Sequence, residues 1–247
     1  MRIAKRDLLL LFPENNFMTT VDEVIAEIKK QSSEKAKAAQ AYFGISNINN
    51  YGLTIPQMRA IAKHIGRNHT LALQLWKTKI HEARHIAAIT AEPEKVTEKL
   101  MEQWLKDFNS WDIVDDCCLT LFDKTPFAWK KAIEWTSREK EFEKRAAFSM
   151  MAILAVHDKK AEDSRFEKFF PYIIRHSDDE RNFVRKAVNW ALRQIGKRNK
   201  HLCKKAITVA KEIRKKDDAS SRWIAADALR ELEKYMKEGK IKNLGNS

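Results

Sequence analysis

The sequence predicts an all-α protein built as a solenoid of stacked helical pairs, and three observations carry that expectation. Ala, Leu, Ile, Lys, Arg and Glu dominate its 247 residues, against only six Gly and five Pro, a composition that favours helix almost throughout. The period-two alternation of apolar and polar residues that marks a strand is absent. The more apolar helices also share a register. Arg84-His-Ile-Ala-Ala-Ile, Arg145-Ala-Ala-Phe-Ser-Met, Arg185-Lys-Ala-Val-Asn-Trp and Arg222-Trp-Ile-Ala-Ala-Asp each open on arginine and continue into small or apolar residues. Asp115-Asp-Cys-Cys-Leu-Thr joins the series with aspartate at the arginine position, so the steps are 31, 30, 40 and 37 residues. That is the length of a helical-hairpin repeat, and stacking is required because one pair cannot bury its apolar face alone.

In chain order, residues 1–17 are expected to be an N-terminal extension without fixed structure. Arg2, Lys5 and Arg6 precede the apolar run Leu8 to Phe12, which is too short for a secretory core and lacks a small-residue cleavage site. Met18 would then be the natural start of a single helical domain over 18–238, with 239–247 as a C-terminal tail. Thr19-Thr20 open a first helix, expected over 20–43. Thr54 ahead of Ile55-Pro56 supplies an N-cap and a first-turn proline for a helix over 56–68. Segments 70–79, 81–91 and 94–108 continue the pattern. Ser110 before Trp111-Asp112 opens 111–122, Pro126 falls in the first turn of 126–137, and 140–157, 163–175, 180–197 and 200–215 follow. Ser220-Ser221 introduce the last helix, 219–238.

No apolar run reaches the roughly 18 residues that a membrane-spanning helix needs, so no membrane role is expected. Cys117, Cys118 and Cys203 are odd in number and include an adjacent pair, a poor basis for a disulfide framework and a fit to the reducing cytoplasm. The formal net charge is +13, and most of it is local: Arg181 to Lys216 holds thirteen Lys or Arg against the single acid Glu212. Such a block attracts polyanions, nucleic acid foremost, with a solvated basic face as the plainer alternative. Long cations seldom sit in a core, which assigns Lys197, Arg198, Lys204 and Lys205 to phosphate contacts. For Arg84, Arg185 and Arg222, repeat-to-repeat structure and phosphate contact are both open. His157 and His176 read as surface residues.

His81-Glu-Ala-Arg-His85 matches HExxH, the pattern that sets two zinc-binding histidines and a general base on one helix. Arg84 inside it occupies the repeat's arginine position, and no further histidine follows at the metzincin spacing. Glu94, Glu98 and Glu102 could be nominated as the third ligand a catalytic zinc needs. The match is read as part of a repeat helix, with no metal or cofactor expected.

Two other places depart from a plain repeat. Over 183–197, positions 184, 187, 188, 191, 192 and 195 make a core stripe, and Trp190 lies outside it, on a stripe with Lys186, Arg193 and Lys197. An aromatic ring among cations suits a nucleotide, the ring meeting sugar or base while the cations hold phosphate; packing on a neighbouring helix is the alternative. Trp111 and Asp115, four residues apart, share a helix face. Trp111 also borders Val114 and Cys118, so core and functional roles are both open for it. Asp115 replaces the repeat arginine, and Arg145, one repeat later, heads the apolar run Ala146 to Val156, where an arginine is rarely buried without a partner. A structural Arg–Asp ladder between repeats would explain both.

Asn109-Ser-Trp-Asp-Ile-Val-Asp115, Lys144-Arg145-Ala-Ala and Phe183-Val-Arg-Lys-Ala-Val-Asn-Trp190-Ala-Leu-Arg193 together resemble the HEAT-like-repeat DNA glycosylases of the AlkD type, the bacterial DNA alkylation repair family. The resemblance runs from about Ala41-Tyr-Phe-Gly44 to Leu229. It implies a right-handed superhelix of HEAT-like helical pairs whose concave, basic groove cups double-stranded DNA. By the same resemblance Trp111 and Trp190 flank the deoxyribose of a damaged nucleotide, Asp115 is the catalytic carboxylate and Arg145 holds a backbone phosphate. Further DNA contacts are expected from Arg84, Arg185, Lys186, Arg193, Lys197, Arg198, Lys204, Lys205 and Arg222. The implied activity is excision of N3- and N7-alkylated purines, without cofactor or obligate protein partner, by a cytoplasmic protein associated with the nucleoid. The alternatives are a HEAT-like module that binds damaged, bent or branched DNA without catalysis, and a protein-binding solenoid.

Overall fold

The computed structural model of the protein describes residues 18–238; the expected N-terminal extension and C-terminal tail lie outside the described residues. These form helices and short connections, with no strand among them, and they divide into two compact units between Thr97 and Glu98.

In the first unit α1 (Val21–Lys30), α2 (Glu34–Tyr42), α3 (Ile55–Ile65), α4 (His69–Lys77) and α5 (His81–Thr90) precede a 3₁₀ turn, Pro93–Lys95. α5 carries the HEARH stretch and packs against α1, α3 and α4. Thr20 and Glu23 cap α1 reciprocally, as Thr19-Thr20 anticipated. The single helix expected over 20–43 is two helices. Ser33 gives its backbone N–H to the Tyr51 carbonyl (2.8 Å), and its hydroxyl accepts from the Ala36 N–H (3.2 Å) to cap α2. A serine side chain that bonds nearby backbone in this way favours a helix start over a helix interior.

The second unit contains α6 (Glu98–Asp107), α7 (Trp111–Thr120), α8 (Ala128–Glu134), α9 (Glu141–His157), α10 (Asp163–Glu167), α11 (Phe170–Arg175), α12 (Asn182–Gly196), α13 (Lys200–Ile213) and α14 (Ala219–Lys237). The helix expected over 163–175 breaks at Lys168-Phe169, because Pro171 has no N–H to donate and is accommodated in the first turn of α11. The last helix is capped by Asp218, whose carboxylate accepts from the Ser221 N–H (2.7 Å), and not by the two serines.

Helices α7, α9, α12 and α14 lie side by side in that order, and α6, α8, α10, α11 and α13 back them in a second row. Cross-links fix the direction. Asp115 meets Arg145 and Ser149, Phe142 packs on Phe183 with ring centres 5.6 Å apart, Arg198 reaches the Ala155 carbonyl (3.2 Å), and Asn189 bonds Asp227 (2.7 Å). N-terminal ends therefore sit beside N-terminal ends, and the four helices run parallel. α9 is apolar on almost every side, with Arg145 to Ala155 buried, the composition a helix enclosed by neighbours requires. On α12 the expected stripe of Val184, Ala187, Val188, Ala191, Leu192 and Ile195 is buried. The three cysteines are interior, and burial pushes the Cys118 thiol well above its ordinary range.

Candidate nucleic-acid interface

Asp115 lies on α7, one turn after Trp111 opens that helix, and its carboxylate is held by α9. Arg145 donates from Nε to Oδ1 (3.1 Å) and from Nη2 to Oδ2 (2.7 Å), and Ser149 Oγ donates to Oδ1 (2.7 Å). The first two bonds form the bidentate fork that fits guanidinium to carboxylate. Arg145 Nη1 donates to the Phe183 carbonyl on α12 (2.7 Å), so one side chain ties three neighbouring helices. Its guanidinium carbon is also 5.8 Å from the centre of the Trp111 ring, within range of cation–π attraction. Arg145 and Ser149 are buried, whereas Asp115 keeps 22% of its side chain exposed and Trp111 is half-buried. A carboxylate has about four lone-pair sites. Described residues fill three, two of them on Oδ1, and one site on Oδ2 is left over.

On α12, Trp190, Arg193 and Lys197 are half-buried and Lys186 is exposed. With Phe142 against Phe183 and Ala155 against Arg198, the register of α9 and α12 sets Trp190 level with Phe148 and Ser149, hence level with Asp115. One helix, α9, separates the two sideways, roughly 20 Å from axis to axis at ordinary packing distances. The cations beside Trp190 face acids of α14. Arg193 pairs with Glu231 and stands 3.5 Å from Asp227, and Lys197 takes the other oxygen of Glu231. Burial works to raise Glu231, and Lys197 and Arg193 outweigh it, holding the group below the ordinary carboxylate range.

A family model described as DNA alkylation repair enzyme matches residues 24–232. The chain belongs to the DNA alkylation repair enzyme family. Among solved structures, one described as a new family of proteins related to the HEAT-like repeat DNA glycosylases with affinity for branched DNA structures aligns with a TM-score of 0.76. Identity to it is 20%, over 90% of this chain and 96% of that chain, a likeness that establishes the HEAT-like helical-repeat fold. A designed armadillo repeat protein aligns at a TM-score of 0.41 and 13% identity, over 85% of this chain and 98% of that one. Comparison with curated proteins found no match.

In this member of the DNA alkylation repair family, several residues expected on DNA are taken up by the framework. Arg198 is among the most enclosed of them. It is 4% exposed, its Nη1 and Nη2 donate to the Ala155 (3.2 Å) and Ala161 (2.8 Å) carbonyls, and its guanidinium lies 4.3 Å from the centre of the Phe166 ring. Carbonyls at the end of a helix need donors, and a buried guanidinium supplies them. Arg145, expected on a backbone phosphate, has its bonds on Asp115 and Phe183. Arg84 is buried over the Trp76 ring (5.1 Å), and Arg185 stacks on Trp223 (4.9 Å). With Arg145 over Trp111, the repeat arginine meets a tryptophan in three of its positions. Arg222 is exposed and pairs with Asp217 (2.7 Å). Lys204 and Lys205 are exposed on α13 in the second row, where Lys205 meets Glu167 of α10 (3.3 Å).

The HEARH glutamate has a structural task. Glu82 is 1% exposed, and its Oε1 accepts the backbone N–H groups of Tyr51 (2.9 Å), Gly52 (2.7 Å) and Leu53 (3.2 Å), so it anchors a loop and does not face solvent as a base would. Glu98 and Glu102 are committed to Lys131, at 2.8 and 2.7 Å. His157 is exposed as expected and bonds Asp123 (2.6 Å); His176 is half-buried, edge-on to Phe148. Ser149 and Glu231 were not singled out by the sequence. Ser149 had a signal, as the one hydroxyl in the run Ala146 to Val156, a turn after Arg145.

Proposed function

We propose that the protein is a DNA glycosylase that hydrolyses the N-glycosidic bond of N3- and N7-alkylated purines in duplex DNA. The observation that carries this reading is Asp115: a part-exposed carboxylate, oriented by three donors, with one acceptor site left on Oδ2 and Trp111 a turn away. An alkylpurine that already bears positive charge departs as a neutral base and needs no general acid. The chain must then supply negative charge for an oxocarbenium-like sugar and a hold on the attacking water. A fixed carboxylate does both, since it accepts a hydrogen bond from water and stabilises developing positive charge without reorganising. Trp111 adds a ring face to the same charge, while Trp190, one helix further along, offers its ring to a neighbouring part of the strand. Arg145 is a positioning residue for Asp115, while Lys186, Arg193 and Lys197, and more remotely Lys204, Lys205 and Arg222, attract the phosphate backbone.

The Arg145 fork also favours a second reading. A guanidinium so close to Asp115 offsets much of its charge, and the chain would then bind damaged, bent or branched DNA without excision. One assay separates the two. Incubated with globally methylated duplex, the protein is expected to release 3-methyladenine or 7-methylguanine, equally with and without EDTA, and Asp115→Asn is expected to lose the release. Tight binding with no base in the supernatant would sink the glycosylase and leave the binder. Absence of DNA binding would sink both.

A further inference from the structure

Arg193 on α12 and Lys197, one turn later at its C-cap, have charged groups that converge on a single carboxylate. Arg193 Nη1 donates to Oε2 of Glu231 on α14, and Lys197 Nζ donates to its Oε1. One turn earlier, Asp227 accepts from Asn189 (2.7 Å) and stands 3.5 Å from Arg193. Two cations that grip the two oxygens of one anion make a preformed seat. A phosphodiester presents the same pattern, two non-bridging oxygens sharing one negative charge, and charge-assisted bonds from Arg and Lys are the ordinary way to hold it. The seat is within reach of solvent, since the side chains of Glu231, Arg193 and Lys197 keep 31%, 28% and 22% of their exposure. Trp190 belongs to the same stripe, three residues before Arg193.

We propose that Arg193 and Lys197 form a phosphodiester subsite whose built-in competitor is Glu231: the carboxylate fills the seat in the free protein and is displaced when a backbone phosphate docks beside Trp190. The proposal rests on the DNA-binding reading above and specifies how this face meets the backbone. Displacement strands no buried charge, because Glu231 is part-exposed and Lys234, 70% exposed, stands three residues further along α14, within side-chain reach on a helix. Docking is then an exchange of one anion for another. It weakens binding and flattens its salt dependence, because the released carboxylate recruits a solution cation while the phosphate gives one up.

The test compares fluorescence anisotropy of a labelled duplex with wild type, Glu231→Gln and Glu233→Gln across a salt series. Glu233 is exposed on the same helix, and its substitution makes the same change in net charge without touching the seat. Glu231→Gln is expected to tighten binding about tenfold and to steepen the slope of log K against log salt by about 0.9, the value for one phosphate. Glu233→Gln should leave the slope where it was. Equal gains in the two variants, or none in Glu231→Gln beside clear wild-type binding, would overturn the competitor while leaving DNA binding intact. A wild type that binds no duplex even at low salt would bring down the DNA reading and the competitor with it. If Glu231→Gln fails to melt cooperatively, Glu231→Asp, which retracts the carboxylate by one methylene, should give a smaller gain in the same direction, and no gain there counts against the proposal.

Discussion

Arg145 makes three hydrogen bonds and a ring contact from one guanidinium, and together they fix where the Asp115 carboxylate points. Lysine at this position carries the charge but not the fork, and it leaves the Phe183 carbonyl or one Asp115 oxygen without its donor. Arg145→Lys is therefore expected to cost about 2 kcal/mol in chemical denaturation. Base release should fall by more than about tenfold through kcat, with duplex affinity nearly unchanged. A matching loss of affinity with a shallower salt slope would instead mark Arg145 as a phosphate ligand. Asp115→Asn should slow release by about a hundredfold or more. Retained rate would remove the carboxylate from the chemistry. In the first unit, Glu82→Gln puts an amide where three backbone N–H groups converge on one carboxylate oxygen, and a loss of about 1–3 kcal/mol follows from weakening bonds to a charged acceptor. An unchanged melting curve would contradict the anchoring role.

Between elements, the end of α12 comes close to its neighbours. A Cβ on Gly196 would lie 2.7 Å from Leu232 Cδ2 and 2.9 Å from Ala206 Cβ, and both neighbours are buried on helices that cannot retreat independently. Gly196→Ala gains helix propensity yet should still lose about 1–2 kcal/mol to overpacking, read as a lower denaturation midpoint; a rise would show that α13 and α14 can yield. The seam of α6 with α8 responds to acid instead. Lys131 and Lys130 hold Glu98 at about 2. Burial works to raise Glu102, but Lys131, Trp135 and Arg138 outweigh it and keep it below the ordinary range. Depressed carboxylates contribute their stability fully above the unfolded value of 4.5 and lose it as pH falls toward the folded one. Melting temperature should therefore drop from about pH 4.5 downward, and more shallowly in Lys131→Met. Parallel acid limbs in the two proteins would rule out the seam as the cause.

Across the whole molecule, the basic block is less free than its composition suggests. Of the thirteen cations from Arg181 to Lys216, Arg181 pairs with Asp179, Arg193 and Lys197 with Glu231, Lys205 with Glu167 and Lys216 with Asp178, while Arg198 is spent on carbonyls. The acids come from outside the block, Glu167 and Glu231 on neighbouring helices and Asp178 and Asp179 in the connection ahead of α12. The exposed remainder is divided between α12 and α13, which belong to different rows. Duplex binding should accordingly show a log K against log salt slope of magnitude below about 5, where about 11 would follow if every excess charge met a phosphate. A slope near 10 in a salt titration would contradict this count of committed cations.

The sequence by itself determined most of the helices, their order, the stripe that α12 buries and the family, because periodicity, caps and a few spaced motifs are local properties written within a turn or two. Its errors at that level, the unbroken 20–43 and 163–175, also had local signals in Ser33 and Pro171. The tertiary structure alone decided what each charge is for. Arg145 reads the same whether it reaches a phosphate or Asp115, and Arg193 the same whether it faces solvent or Glu231. Their partners lie 30 and 38 residues away along the chain, and only the side-by-side packing of parallel helices brings such residues within the few ångströms over which an ion pair forms.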